Sequence, residues 1–122
     1  MRLTRAMIFV NDLPRMTAFY AGTLGLKPID ETRQVGYVEF EAGPSTFALH
    51  AIPEAHRCVI SVPPKLREMS AVKLTFEVED VAAERKRLET LGVTILDRPW
   101  GSYDAADPEG NVFGIYSRST HV

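Results

Sequence analysis

Residues 5–10 are rich in β-branched and large apolar side chains and predict a strand. A helix follows: Asp12 can cap it by accepting from free backbone N–H groups, and Pro14 falls in the first turn, where its missing N–H costs nothing. Leu13, Met16, Tyr20 and Leu24 share one helical face, and Gly25 supplies a left-handed stop. Short strands are expected at 27–30, 35–41 and 46–52, the last two joined by the turn Ala42-Gly43-Pro44-Ser45. Polar and apolar residues alternate along 72–78, a period of two that predicts another strand. Asp80 then caps a helix with Val81, Arg85, Leu88 and Leu91 on one side and Gly92 at its end. Strands are expected at 93–96, 102–106 and 112–117, with Asp107-Pro108-Glu109-Gly110-Asn111 as the turn before the last.

The two halves read as one unit, strand–helix–strand–strand–strand, written twice. Phe9-Val10-Asn11-Asp12-Leu13 lies over Glu77-Val78-Glu79-Asp80-Val81, and Leu24-Gly25-Leu26 over Leu91-Gly92-Val93. The expectation is one domain over 1–122, with a first module at 1–52, a linker at 53–71 and a second module at 72–122. The linker carries Pro53, Pro63 and Pro64, with 58–62 as a possible extra strand. A connection this long inside a compact domain is expected to cover an opening or touch a second chain.

Composition narrows the function classes. A chain of 122 residues with 45% hydrophobic and 25% charged residues has material for a core without staples. Fourteen basic against sixteen acidic residues leave no electrostatic footprint for nucleic acid or an anionic membrane, so neither is expected as a partner. Cys58 is the single cysteine and fits a reducing compartment. The apolar run at 6–10 is too short for a signal peptide, which makes the cytoplasm the expected location. No phosphate-cradling loop, paired-cysteine zinc pattern or Ser-His-Asp pattern is readable.

Three stretches together resemble the vicinal oxygen chelate superfamily of glyoxalase I, bleomycin-resistance proteins, fosfomycin-resistance enzymes and extradiol dioxygenases. They are Val10-Asn11-Asp12-Leu13 with Phe19-Tyr20 and Leu24-Gly25-Leu26; Phe76-Glu77-Val78-Glu79-Asp80-Val81 with Leu91-Gly92-Val93; and Asp107-Pro108-Glu109-Gly110-Asn111. The resemblance implies an α+β fold in which two tandem βαβββ modules form a curled mixed-sheet cup around a ligand or metal. It also implies four metal-ligand positions, on the first and last strand of each module. The first-strand positions match Arg5 and Lys73. The last-strand positions match Gly114 and, in the first half, Ala48, or His50 if the register shifts by two. Guanidinium and ammonium have no lone pair for a cation at neutral pH, and glycine has no side chain. The resemblance therefore points to the metal-free, bleomycin-resistance-like branch, with no cofactor, a small-molecule ligand and a homodimer.

If Arg5 and Lys73 face the cup, strand parity places Phe9, Tyr37, Glu39, His50, Glu77 and Tyr116 with them, and puts Ala6, Ile8, Val10, Leu74, Phe76 and Val78 under the helices. Trp100 and Tyr103 flank Gly101 and are candidates for a stacking lid or for ordinary packing. These ten residues, Arg5, Phe9, Tyr37, Glu39, His50, Lys73, Glu77, Trp100, Tyr103 and Tyr116, form the candidate ligand site. Mixed charge with aromatic faces suits a polar ring compound. His56 and His121 are read as incidental. Two other functions stay open. One is a metal-dependent lyase, isomerase or dioxygenase with a displaced site, which would need His50, Glu39 and Glu77 to converge. The other is a non-catalytic structural or regulatory partner.

Overall fold

The computed structural model describes residues 1–100 and 102–118. The chain divides into two compact units, Met1–Val62 and Pro63–Val122. The expected linker is therefore shared out between them.

In the first unit, β1 (Arg5–Val10) leads into α1 (Leu13–Thr17), and β2 (Tyr37–Ala42) and β3 (Ser45–Ala51) complete an open sheet of order β1-β3-β2. β1 runs parallel to β3, and β2 antiparallel to it. Asp12 caps α1 as expected, its Oδ1 accepting from Arg15 N at 3.1 Å. The helix does not continue to Leu24 as α-helix. It widens into a π-helical turn over Ala18–Thr23, closed by Leu24 N donating to Phe19 O at 2.9 Å. That turn sets the adjacent rings of Phe19 and Tyr20 into the core together, where Tyr20 meets Phe47 edge-on at 4.9 Å. The strand expected at 27–30 is only a bridge, Pro28 to Phe40, with Ile29 N bonded to Glu39 O and Glu41 N to Lys27 O. Pro28 has no N–H to extend the ladder, and a 3-10 turn begins at Asp30. Residues 58–62 form no strand; Cys58 N instead donates to the Asn11 side chain at 2.8 Å.

In the second unit, β4 (Thr75–Glu77), α2 (Val81–Thr90), β5 (Thr94–Asp97), β6 (Tyr103–Ala106) and β7 (Val112–Tyr116) give a four-stranded sheet of order β4-β7-β6-β5. β4 is parallel to β7 and the other pairs are antiparallel. Asp80 caps α2 through Ala83 N at 3.0 Å, and Gly92 ends it at positive φ. β4 is shorter than expected, because the residues ahead of it leave the ladder after Leu74, whose carbonyl takes Gly114 N. The chain just before β7 is met by Arg67 instead, which pairs with Asn111 and donates to Gly110 O at 2.8 Å.

The registers show the duplication at residue level. Met7 pairs with Ala48, and Ala48 with Glu39; Thr75 pairs with Gly114, and Gly114 with Asp104. Ala48 and Gly114 are thus equivalent, as are Glu39 and Asp104. The expected α+β class is that of the structure; the second unit has the full expected element order, and the first has a bridge at Pro28 in place of its second strand. The core has the expected parity: Val10, Val38, Phe40, Phe47, Leu49, Phe113 and Ile115 are buried, whereas Arg5, Met7 and Phe9 are exposed.

The turn at Asp107 organises the second unit. Its Oδ1 accepts from Glu109 N and Asn111 N, and its Oδ2 from Asn111 Nδ2. Gly110 sits at φ +85°, and a Cβ there would lie 2.1 Å from the Lys65 carbonyl oxygen. Gly110→Ala is expected to destabilise the protein by about 2 kcal/mol or more, because strain and a backbone clash coincide. Urea denaturation checks this.

Candidate functional site

On the first sheet, one face carries three short rows across β1, β3 and β2: Arg5 with Thr46 and Glu41, Met7 with Ala48 and Glu39, and Phe9 with His50 and Tyr37. Glu39 is only 4% exposed. The small side chain of Ala48 leaves it room. The Tyr37 hydroxyl donates to Glu39 Oε1 at 2.8 Å, and Arg5 Nε lies 3.4 Å from Oε2. The hydrogen bonds from Thr46 and Tyr37, with the Arg5 charge and Thr32, outweigh burial and hold the carboxyl below its ordinary range. Burial, then the bond to Glu39, pushes the Tyr37 phenol up, so it stays a donor at neutral pH. The Arg5 guanidinium also lies over the Tyr37 ring, 5.8 Å from its centre. His50 Nδ1–H donates to the Ala51 carbonyl at 2.8 Å, and its ring lies 5.2 Å from Phe9 and 6.3 Å from Tyr37.

On the second sheet, the equivalent carboxylate is Asp104, 2% exposed. Lys73 Nζ reaches its Oδ2 at 2.9 Å, and Arg98 Nε reaches the same oxygen at 2.7 Å. Arg98 also binds Glu68. Both cations lie over the ring of Trp100, at 5.6 and 5.8 Å from its centre. Lys73, Trp100, Asp104, Gly114 and Tyr116 border an open hollow of about 460 Å³. Glu77 pairs with Arg118 at 3.1 Å beside a separate hollow of about 510 Å³.

The first unit thus brings together Arg5, Phe9, Tyr37, Glu39 and His50, and the second Lys73, Trp100 and Tyr116. Tyr103 is different. Its ring is 4% exposed on the opposite face of β6, its hydroxyl donates to Val81 O at 3.0 Å, and burial pushes its phenol up to about 12. It holds α2 on the sheet and does not border the hollow. Asp104 and Arg98 escaped the sequence reading. The repeat held the signal for Asp104, since a residue two strands from Lys73 stands where Glu39 stands from Arg5. His56 lies in an exposed 3-10 turn, and His121 falls outside the described residues.

The four positions matched to metal ligands do not suit a divalent cation. Register assigns the first-half last-strand position to Ala48 rather than His50, since Ala48 is the counterpart of Gly114. Arg5 and Lys73 offer no lone pair, and Ala48 and Gly114 offer no side-chain donor. Among the described residues, no group of three or more His, Cys, Asp or Glu side chains is placed to hold a metal ion. No helix among them is long and apolar enough to cross a membrane.

Two units of mixed sheet, three-stranded in the first and four-stranded in the second, each with a capped helix and a first strand parallel to its last, define a class of tandem-module proteins. The chain belongs to the glyoxalase/bleomycin resistance protein/dioxygenase superfamily, whose sequence profile matches residues 2–115. Among solved structures it is similar to an integron cassette protein from the mobile metagenome of V. cholerae, at 25% identity and a TM-score of 0.71, over 97% of this chain and 95% of that one. It is similar in fold to a lactoylglutathione lyase from Agrobacterium tumefaciens, at 23% identity and a TM-score of 0.68, over 96% and 93% of the two chains. The same holds for TnmS3, an antibiotic binding protein from Streptomyces sp. CB03234, at 22% identity and a TM-score of 0.70, over 96% and 95%. No curated protein matches the chain.

Two predictions follow from the geometry. The folded-state pKa of Glu39 is depressed, so the stability it contributes is complete above its unfolded value of about 4.3. That stability is lost as pH falls through the lower folded value. Glu39→Gln should therefore be less stable than wild type at neutral pH, and the difference should shrink between about pH 5 and pH 3, read by urea denaturation. Tyr103→Phe should cost about 0.5–1.5 kcal/mol by leaving the Val81 carbonyl without its donor, with no effect on ligand binding.

Proposed function

We propose that this protein binds a small organic molecule reversibly, without a metal and without breaking a bond, and so sequesters it. The observation that carries this reading is the filling of the metal-ligand positions by two charge pairs. Arg5 meets Glu39 beside Ala48, and Lys73 meets Asp104 beside Gly114. Each cation sits where a lone-pair donor would be needed, and each acid is already engaged by a cation. The aromatic side chains nearby, Phe9, Tyr37 and His50 in one unit and Trp100 and Tyr116 in the other, supply area for a ring compound. An antibiotic binding protein shares the fold, which is compatible with a binding role.

The reading includes a cytoplasmic homodimer. Val59 and Met69 are fully exposed apolar side chains in the segment between the two sheets, and a second copy would cover them. Light scattering on the purified chain is expected to give twice the chain mass.

Metal analysis of the untagged protein tests the central claim. After dialysis with Zn, Ni, Mn or Fe(II), retained metal is expected to stay far below one equivalent. Near-stoichiometric metal that disappears in His50→Ala would instead establish a displaced metal centre and reopen lyase, isomerase or dioxygenase chemistry.

A further inference from the structure

Among the described residues, Asp104 meets one cation more than its counterpart Glu39 does. Lys73 stands where Arg5 stands and already pairs with Asp104, as Arg5 pairs with Glu39. Arg98 comes to the same oxygen, so it is not needed to balance that carboxylate and lies close to a like charge. Glu68 offsets the repulsion, because Arg98 Nη2 donates to its Oε1. The guanidinium is thus a fork held at both ends, Nε on Asp104 and Nη2 on Glu68, with 18% of the side chain exposed. Backbone pairing fixes both acids. Asp104 is a ladder residue of β6, paired with Leu96 and Gly114, and Glu68 follows Arg67, whose N–H is bonded to Gly110 O.

We infer that Arg98 is a positioning residue: strung between Glu68 and Asp104, it fixes the ring of Trp100 at the edge of the 460 Å³ hollow. Arg98 Cζ lies over that ring, 5.8 Å from its centre, and the two residues share the short connection between β5 and β6. Trp100 borders the hollow and is 44% exposed, whereas Arg98 and Glu68 are not among the residues that border it. They act on the site through the indole. Lys73 also lies over the ring, but its ammonium is a hydrated point charge on a flexible, half-exposed stem. The planar guanidinium is locked by its two acids and offers the ring a fixed surface. A ring already held gives up less freedom when a ligand settles on it, so Arg98 favours binding without touching the ligand. The inference takes from the function proposed above only the place where a ligand sits.

Trp100 is the only tryptophan, so emission and its quenching by acrylamide read this ring alone. In the full chain without ligand, Arg98→Met is expected to raise the quenching constant about twofold or more and to shift emission to the red. Glu68→Gln removes the charge at one end of the fork and leaves Arg98 in place; it is expected to move both readings in the same direction. Arg98→Lys keeps the charge but cannot reproduce the fork, and is expected to behave like Arg98→Met rather than like wild type. Melting temperatures establish that the variants fold. An arginine with a merely structural role would lower the melting temperature and leave quenching in the folded protein unchanged. Where Arg98→Met does not fold, Glu68→Gln decides alone. Quenching that is unchanged or lower in either folded variant, or wild-type readings in Arg98→Lys, would overturn the inference. No ligand enters this test, so retained metal would remove the sequestration reading and leave the Trp100 result standing.

Discussion

A carboxylate buried on a sheet must find its counter-charge and its hydrogen-bond donors within reach of that sheet, and this requirement shapes both halves of the protein. Glu39 and Asp104 each lie on an antiparallel strand next to the last strand of their unit. Each needs a small neighbour on that last strand and a cation from the far side of it. Ala48 and Gly114 are the small neighbours, Arg5 and Lys73 the cations. A one-residue slip of β2 or β6 would turn the acid to the opposite face, away from its cation, and an unpaired buried charge costs about 3–5 kcal/mol. The pairs therefore help to set register, and they also put basic side chains at the positions that the resemblance matches to metal ligands.

The same duplicated frame has been finished differently in its two copies. The first unit surrounds Glu39 with hydroxyls and leaves an aromatic corner of Phe9, Tyr37 and His50. The second has Ser102, just ahead of β6, at the place matching Tyr37 and recruits Arg98 from the loop before that strand, so that two cations meet one oxygen. Tyr103, the tyrosine that β6 does carry, is one residue out of phase and faces α2. A single step of parity decides whether a tyrosine serves a binding face or a core.

The fold was legible in this chain because its signals are local. Asp12, Asp80, Gly25, Gly92 and the Asp107 turn act through their own backbones, and strand parity separates the buried face from the charged one without tertiary knowledge. What escaped depends on partners distant in sequence. The length of β4 is set by Arg67 meeting Gly110 and Asn111, the fate of 27–30 by how far β2 can be paired, and the path at Cys58 by the Asn11 amide. The π-helical turn leaves no mark in apolar spacing, since Met16, Phe19 and Tyr20 fall inward at either pitch. At the candidate site, Arg5 and Lys73 came from the family resemblance and Glu39 from strand parity starting at them, whereas Asp104 and Arg98 lay in a weakly patterned stretch. Tyr103 was drawn toward the site by its neighbour Trp100 rather than by its own strand position.

The parallel pairing of first strand with last has a consequence for how the chain comes off the ribosome. Arg5 meets Thr46, and Thr75 meets Gly114, in each case about forty residues along the chain. Closing a loop of that length costs entropy before the contact returns anything, so each sheet is completed by its slowest contact rather than its hairpin. All strands of the first sheet have emerged once Ala51 is clear of the exit tunnel. At about 5–20 residues per second, the last strand of the second sheet, which ends at Tyr116, leaves the tunnel several seconds after Ala51 does. Translation thus gives the first half a head start in which its pairing partners compete with no copy of themselves, a safeguard that a duplicated chain needs more than most.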